Sequence, residues 1–236
     1  MTPSEFVSAL AALNLPGAFN PYAERCPVHD RADAPKRRRA NLQAFLEGAL
    51  ACHTDTIWIA RDLGYRGGRR TGVPLTDEVH LQYISGLFDA GSFQRATRGP
   101  AVAERTAAVV WSAIRTIQRP VFLWNIFPLH PHEPDDPFSN RCHTRAERET
   151  CKPLLLSLLE MLQPRQVVAI GRDAQGALAD LGVSSAGVRH PSYGGQSEFM
   201  AGVYSLYQVV SGVIADPPPQ AAAKDKVTYR RRCATG

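Results

Sequence analysis

The hydrophobic residues of this chain fall into short apolar runs that are separated by longer amphipathic segments. Four runs rich in β-branched and aromatic residues predict buried strands, at residues 56–60, 121–125, 166–170 and, more briefly, 187–189. Amphipathic periodicity predicts a helix near the N-terminus and further helices at residues 38–51, 79–90, 101–117, 144–162, 174–181 and 198–213. Strands that alternate with helices indicate a three-layer α/β/α sandwich with a central, mainly parallel four-stranded sheet.

One domain accounts for most of this pattern. We expect it to span residues 1–215, with residues 1–37 as an N-terminal extension, and we find no internal repeat. Residues 216–236 are rich in proline and basic side chains, which predicts a flexible C-terminal tail. Thr144 and Glu147 have the spacing of a capping box and predict the start of one helix.

Polar residues follow the predicted strands where a parallel sheet would gather them. Asp62 comes after the first strand, Asn125 ends the second, the segment GRDAQ follows the third, and His190 follows the fourth. Ligands of such sheets bind beyond the carboxyl ends of the strands. We therefore expect these side chains to converge on one site.

The charge of the chain favours a polyanionic partner. The 236 residues are 44% hydrophobic and carry a net charge of +5, with a pI of about 9.1. Basic residues cluster at positions 36–39, at Arg66, Arg69 and Arg70, and at positions 230–232. Such clusters are either solvated faces or a nucleic-acid footprint, and nucleic acid is a better candidate than a membrane.

Neither membrane segments nor metal sites are indicated. No apolar run approaches the roughly 20 residues that span a bilayer, and the N-terminus lacks the basic start of a signal peptide. The five cysteines are widely spaced, without a C-x-x-C pair, so we expect a reduced cytoplasmic protein with no metal, no iron–sulfur cluster and no other cofactor.

The glycine-rich segment IARDLGYRGGRRTGVPLTDE (residues 59–78) does not fit a phosphate-binding loop. It matches neither G-x-x-x-x-G-K-[ST] nor G-x-G-x-x-G opening a helix, and we expect no helix directly after its glycines. Asp62 would also repel a phosphate.

A pocket for a nucleobase fits the same residues better. The amide of Asn125 can pair with the N3–H and O4 edge of a pyrimidine. His190 can stabilise O2 as the glycosidic bond breaks, and Asp62 can hold water and favour a cationic sugar. Ser192 can bind a backbone phosphate. Each of these residues could instead be a structural hydrogen-bonding group.

These motifs resemble those of the uracil-DNA glycosylase superfamily, and most closely its single-strand-selective monofunctional type. The resemblance covers residues 20–212. The segment DLGYRGGRRTGVPL is similar to the first family motif, NIFPL to the base-reading segment, and RHPSYGG to the His-Pro-Ser motif. The resemblance implies that Asp62 and His190 are catalytic and that Asn125 binds the base.

The first motif departs from the family pattern at several positions. Leu63 stands in place of a proline, and Leu75 in place of the phenylalanine that normally stacks on the base. Phe127 is then a substitute stacking residue from the neighbouring loop. Gly64, where the most uracil-specific members carry tyrosine, predicts room for a C5 substituent, unless it only serves the turn.

The resemblance implies a monofunctional DNA glycosylase that flips a nucleotide out of DNA and hydrolyses the N-glycosidic bond of uracil or a C5-substituted pyrimidine. No lysine lies in the motifs to form a Schiff base. We expect phosphate contacts from Ser192, Arg66, Arg69 and Arg70. Tyr193 and Gln196 are candidates to fill the vacated space in single- or double-stranded DNA.

Three alternatives stay open at this point. The substrate could be a hypermodified base in foreign phage DNA, and the altered first motif could mark an inactive nucleic-acid-binding relative. The chain could also be a hydrolase of free nucleosides, although the basic clusters favour a polymer. We expect the protein to be associated with the nucleoid through DNA and to have no obligate protein partner.

Overall fold

The computed structural model of the protein describes residues 1–88 and 91–209. The predicted tail at residues 216–236 and the end of the last predicted helix lie outside these ranges. The described elements are, in chain order, α1 (Pro3–Ala11), β1 (Ala18–Phe19), α2 (Ala34–Ala51), β2 (Thr56–Asp62), α3 (Gly68–Thr71), α4 (Tyr83–Phe88), α5 (Arg105–Ile117), β3 (Phe122–Phe127), β4 (His130–Pro131), α6 (Arg145–Leu162), β5 (Gln166–Ile170), α7 (Arg172–Asp180), β6 (Ala186–Val188) and α8 (Gln196–Tyr207).

The central sheet confirms the predicted α/β/α sandwich. Its four strands are all parallel and run in the order β3-β2-β5-β6. Every side chain of β3 is buried, as is the first part of β2, because helices flank the sheet. Short strands β1 and β4, which the sequence did not predict, pair antiparallel outside the sheet.

The N-terminal segment belongs to the same hydrophobic core. Phe6 and Leu10 of α1 are fully buried, and the Phe6 ring lies 5.4 Å from that of Trp124 in β3. Thr2 and Glu5 form a capping box that begins α1, as Thr144 and Glu147 do for α6. Within the described residues, no helix combines the length and apolarity needed to cross a membrane.

Two predicted helices begin later in the structure, and the side chain of Asp77 binds backbone N–H groups ahead of both. Its carboxylate accepts hydrogen bonds from the N–H groups of Val79 and His80, at 3.0 and 2.8 Å, so the chain turns there and α4 begins only at Tyr83. It also accepts the N–H of Glu104 at 2.6 Å. Glu104 is extended, with φ −125° and ψ 132°, and α5 therefore begins one residue later.

The expectation that no helix follows the glycines of the first motif was wrong. A single helical turn, α3, begins at Gly68 and ends at Thr71, and it is followed by Gly72, which has φ 76°. A Cβ atom at Gly72 would lie 2.7 Å from the backbone of Arg38, so only glycine fits where this turn meets α2. The turn of four residues packs the motif against the protein interior.

Candidate active site

The ladder between β2 and β3 brings Asp62 and Asn125 together. Asp62, the last residue of β2, pairs with Phe127, and Ala60 pairs with Asn125. Side chains alternate along a strand, and residues paired in a parallel ladder share a face, so these four side chains project from the same face of the sheet. Pairing with β2 extends β3 to Phe127. Asn125 therefore lies inside the strand, and Phe127, which was expected in the following loop, is the last residue of the strand.

Asp62 is held by two neighbours. Its Oδ2 accepts a hydrogen bond from Nε of Arg61 at 2.6 Å, and its Oδ1 is hydrogen-bonded to Nδ1 of His143. Arg61 also donates to Asp173 in the first turn of α7, at 2.5 Å. The Asp62 carboxylate is 9% exposed, so it is oriented in a nearly closed environment at the end of β2.

Asn125 is buried without a protein partner. Its side chain is 1% exposed, and neither Oδ1 nor Nδ2 makes a hydrogen bond to any described residue. A buried amide left unpaired costs about 1–3 kcal/mol for each polar group. A ligand with one donor and one acceptor side by side would satisfy both atoms.

His190 presents a hydrogen-bond donor. The backbone N–H of Ser192 donates to its Nδ1 at 3.2 Å, and the hydroxyl of Ser192 lies 2.8 Å from the same nitrogen. Because Nδ1 accepts the backbone N–H, the proton of the neutral ring is on Nε2. Burial lowers the pKa of His190, and the positive charges of Arg61 and Arg189 lower it further. The ring is therefore neutral at pH 7, with an N–H on Nε2.

Gly171, directly after β5, lets the side chain of His190 pack closely against the backbone. Gly171 has φ 91°, a backbone conformation that favours glycine, and its N–H donates to the carbonyl of Val188 at 2.8 Å. A Cβ atom at Gly171 would lie 3.2 Å from Cβ of His190. The segment GRDAQ thus serves to seat His190 and to supply Asp173, which binds Arg61.

The space beside Gly64 is filled, which corrects the expectation of an open pocket wall there. The carboxyl group of Glu104 lies against both Gly64 and Gly67, and a Cβ atom on either glycine would collide with it. Burial raises the pKa of Glu104 to about 7, with a further increase from Asp77 that Arg66 partly opposes. In the described part of the chain, its two carboxyl oxygens make no hydrogen bond.

Two of the arginines expected to bind DNA phosphates are interior residues, which corrects that expectation. Arg69 is 4% exposed, lies over the ring of Phe19 at 4.0 Å, and donates to the carbonyl of Pro137. Arg70 is 5% exposed and binds the fully buried side chain of Glu78 at 3.0 Å. Arg66, between them and the strand, is exposed.

Leu75, at the position of the usual stacking phenylalanine, and Phe127, its candidate substitute, are both buried. Leu75 is 7% exposed and has φ 54°, a strained conformation for a residue other than glycine. Phe127 is fully buried, and its ring lies 5.5 Å from that of His143 at an interplanar angle of 35°. Phe127 thus packs against the residue that binds Asp62.

The segment after His190 carries an exposed aromatic side chain. Tyr193 is 98% exposed and has φ 50°, followed by Gly194 with φ 79°. Gln196 is exposed at the start of α8. Tyr193 directly follows the candidate phosphate-binding residue Ser192 in the chain, and Gln196 comes four residues after Ser192.

Sequence reasoning missed His143 and Glu104. His143 directly precedes the capping Thr144, and Glu104 directly precedes α5. The starts of α6 and α5 therefore fix the positions of these two residues. Only the capping box was visible in the sequence. The described residues contain no group of three or more histidine, cysteine or acidic side chains placed to hold a metal ion.

Comparisons with known proteins agree with this architecture. The crystal structure of wild-type SMUG2 of Pedobacter heparinus superposes with a TM-score of 0.59 at 13% sequence identity, over 88% of this chain and 97% of that one. None of the curated proteins matches the chain. Residues 64–226 match the family described as the uracil DNA glycosylase superfamily. The chain belongs to this superfamily, whose members are DNA glycosylases.

Proposed function

We propose that this protein is a monofunctional DNA glycosylase that hydrolyses the N-glycosidic bond of uracil or a C5-substituted pyrimidine. The observation that carries the proposal is the unpaired, buried amide of Asn125, two positions along the ladder from Asp62. A pyrimidine edge with adjacent N3–H and O4 offers the donor and acceptor that this amide lacks.

The proposed reaction assigns one role to each of Asn125, His190 and Asp62. A flipped nucleotide would place its base against Asn125, with O2 directed to Nε2–H of His190. A neutral imidazole that donates a hydrogen bond stabilises the negative charge that grows on O2 when the bond to C1′ breaks. The carboxylate of Asp62 favours the positive charge that remains on the sugar.

Glu104 bears on which base is bound. The first motif resembles that of single-strand-selective glycosylases, and this resemblance implies that Gly64 would face C5 of the pyrimidine ring. A carboxyl group beside Gly64 favours a C5 substituent that can hydrogen-bond to it and disfavours a bulky apolar one. The substitution Glu104→Ala should raise the excision rate of a base with a bulky C5 group relative to uracil.

The experiment is a single-turnover screen of oligonucleotides that carry different bases, in single and double strands, scored by alkali-labile abasic sites. The variants Asp62→Asn and His190→Ala should each lower the excision rate by about 100-fold or more. Both should retain DNA affinity. Asp180→Asn is the matched control, since it makes the same chemical change at an exposed position of α7.

The same screen separates the alternatives. Excision of only a hypermodified base, with uracil left intact, would identify a glycosylase for foreign DNA. DNA binding without excision of any base would identify an inactive member of the superfamily. Hydrolysis of free nucleosides in preference to DNA would refute the glycosylase function.

A further inference from the structure

His143 holds a fixed position against Asp62. It lies in the segment between β4 and α6, directly before Thr144, whose capping box with Glu147 begins α6. The side chains of His143 and Asp62 are 10% and 9% exposed, and Nδ1 of His143 is hydrogen-bonded to Oδ1 of Asp62. The ring of Phe127 covers one side of the imidazole. This pair is therefore built into the interior at the end of β2.

The proton positions follow from the partners. Asp62 accepts the guanidinium N–H of Arg61 at 2.6 Å through Oδ2, and its Oδ1 faces Nδ1 of His143. An ionised carboxylate only accepts, so Nδ1 of His143 carries the shared proton. The neutral ring then has its lone pair on Nε2, which makes no hydrogen bond within residues 1–88 and 91–209.

This arrangement matches the way an aspartate and a histidine act together as a base. In the Ser-His-Asp triad, the aspartate fixes the tautomer and stabilises the imidazolium, while Nε2 takes the proton from the nucleophile. Asp62 has the first role here. Both oxygens of Asp62 are already hydrogen-bonded, one to Arg61 and the other to His143.

We infer that His143, oriented by Asp62, takes the proton from the hydrolytic water; the inference rests on the glycosylase function proposed above. As the C1′–N bond breaks, its electron pair leaves with the base, whose O2 binds His190. The oxygen of water then forms a bond to C1′, one of its O–H bonds breaks, and the proton moves to Nε2 of His143. Asp62 stabilises the resulting imidazolium.

Single-turnover excision by His143 variants tests this role. His143→Ala should lower the rate by about 100-fold, within the range for loss of a general base, with DNA affinity and thermal unfolding midpoint unchanged. Added imidazole should restore part of that rate in proportion to its concentration. It should not affect the wild type or Asp62→Asn. His53→Asn is the control, because His53 precedes β2 at the opposite end and has φ 48°, which asparagine tolerates.

A second variant separates a base from an orienting group. His143→Asn keeps an N–H that can donate to Asp62 but has no basic nitrogen, so it should be as slow as His143→Ala. A nearly wild-type rate for His143→Asn, or no rescue of His143→Ala by imidazole, would overturn the inference. A wild-type protein that excises no base would refute the proposed function itself, whereas an active wild type with an unaffected His143→Ala variant would refute only the role of His143.

Discussion

The carboxyl group of Glu104 occupies the space that a side chain at Gly64 would need. Glu104 reaches it from the start of α5, where its N–H is bound by Asp77. The glycine therefore does not enlarge the pocket by itself. It makes room for an acidic side chain from a different part of the sequence, and this changes the wall from an open one to a polar one.

The ionisation of Glu104 should make stability depend on pH. Its pKa is raised from the ordinary 4.5 to about 7, so between these values the folded state holds a proton that the unfolded state has lost. Stability should therefore fall as the pH rises from 4.5 to 7, and Glu104→Gln should remove this loss, which is on the order of 2 kcal/mol for a partly buried group. Denaturant unfolding at pH 5 and pH 7.5 measures the difference. The exposed Glu160→Gln should leave the pH dependence unchanged.

Asn125→Ala should separate stability from activity. The amide makes no hydrogen bond in the described protein, so its removal relieves two unpaired polar groups, and the unfolding midpoint should stay at or above that of the wild type. Excision should fall by about 100-fold or more, since the base loses its paired edge. A variant that cleaves normally would show that Asn125 does not read the base.

Substitutions of Arg66 and Arg70, two arginines of the first motif, should have different effects: one on DNA binding and the other on stability. Arg66→Ala should weaken DNA binding for all sequences and reduce the slope of log affinity against log salt by about 1, because Arg66 is exposed. Arg70→Ala should instead destabilise the fold by about 3 kcal/mol, because the buried Glu78 loses its nearer cation and keeps only Arg95, at 3.5 Å. Salt titrations of DNA binding and thermal unfolding distinguish the two. A change in salt slope for a folded Arg70 variant would contradict its interior role.

Tyr193 should matter for duplex DNA more than for single strands. An aromatic side chain that is 98% exposed can occupy the gap left by a flipped nucleotide. Unpairing a base costs more in a duplex, so Tyr193→Ala should slow excision from double-stranded oligonucleotides by about 10-fold and leave single-stranded excision nearly unchanged. Equal losses on both substrates would assign the tyrosine to general DNA binding.

Local patterns predicted the strands and most helices because burial on both faces of a parallel sheet leaves continuous apolar runs. The sequence also placed His190 correctly after a strand, whereas Asp62, which was expected after the first strand, is the last residue of β2. Asn125 was expected to end the second strand, but β3 continues two residues further to Phe127, since the length of β3 depends on its partner strand.

Contacts between distant segments were not predictable in this way. A run of arginines looks the same in the sequence whether it is solvated or buried. Asp30, the ion-pair partner of the buried Arg38, became evident only in the fold. Likewise, His143 reaches Asp62 and Glu104 reaches Gly64 only through the packing of α5 and α6. Neither pair has a sequence signature.

The strand register has a consequence for how this protein can change its substrate. Asn125 and Asp62 are carried by one ladder of backbone hydrogen bonds, and inserting or deleting a single residue in β3 would turn Asn125 to the opposite face. Changes of target during evolution are therefore confined to replacement of side chains and to variation in the surrounding loops. With the roles proposed for Asn125 and Asp62, the strands set a constant spacing between base binding and cleavage, and new specificities must be built around it.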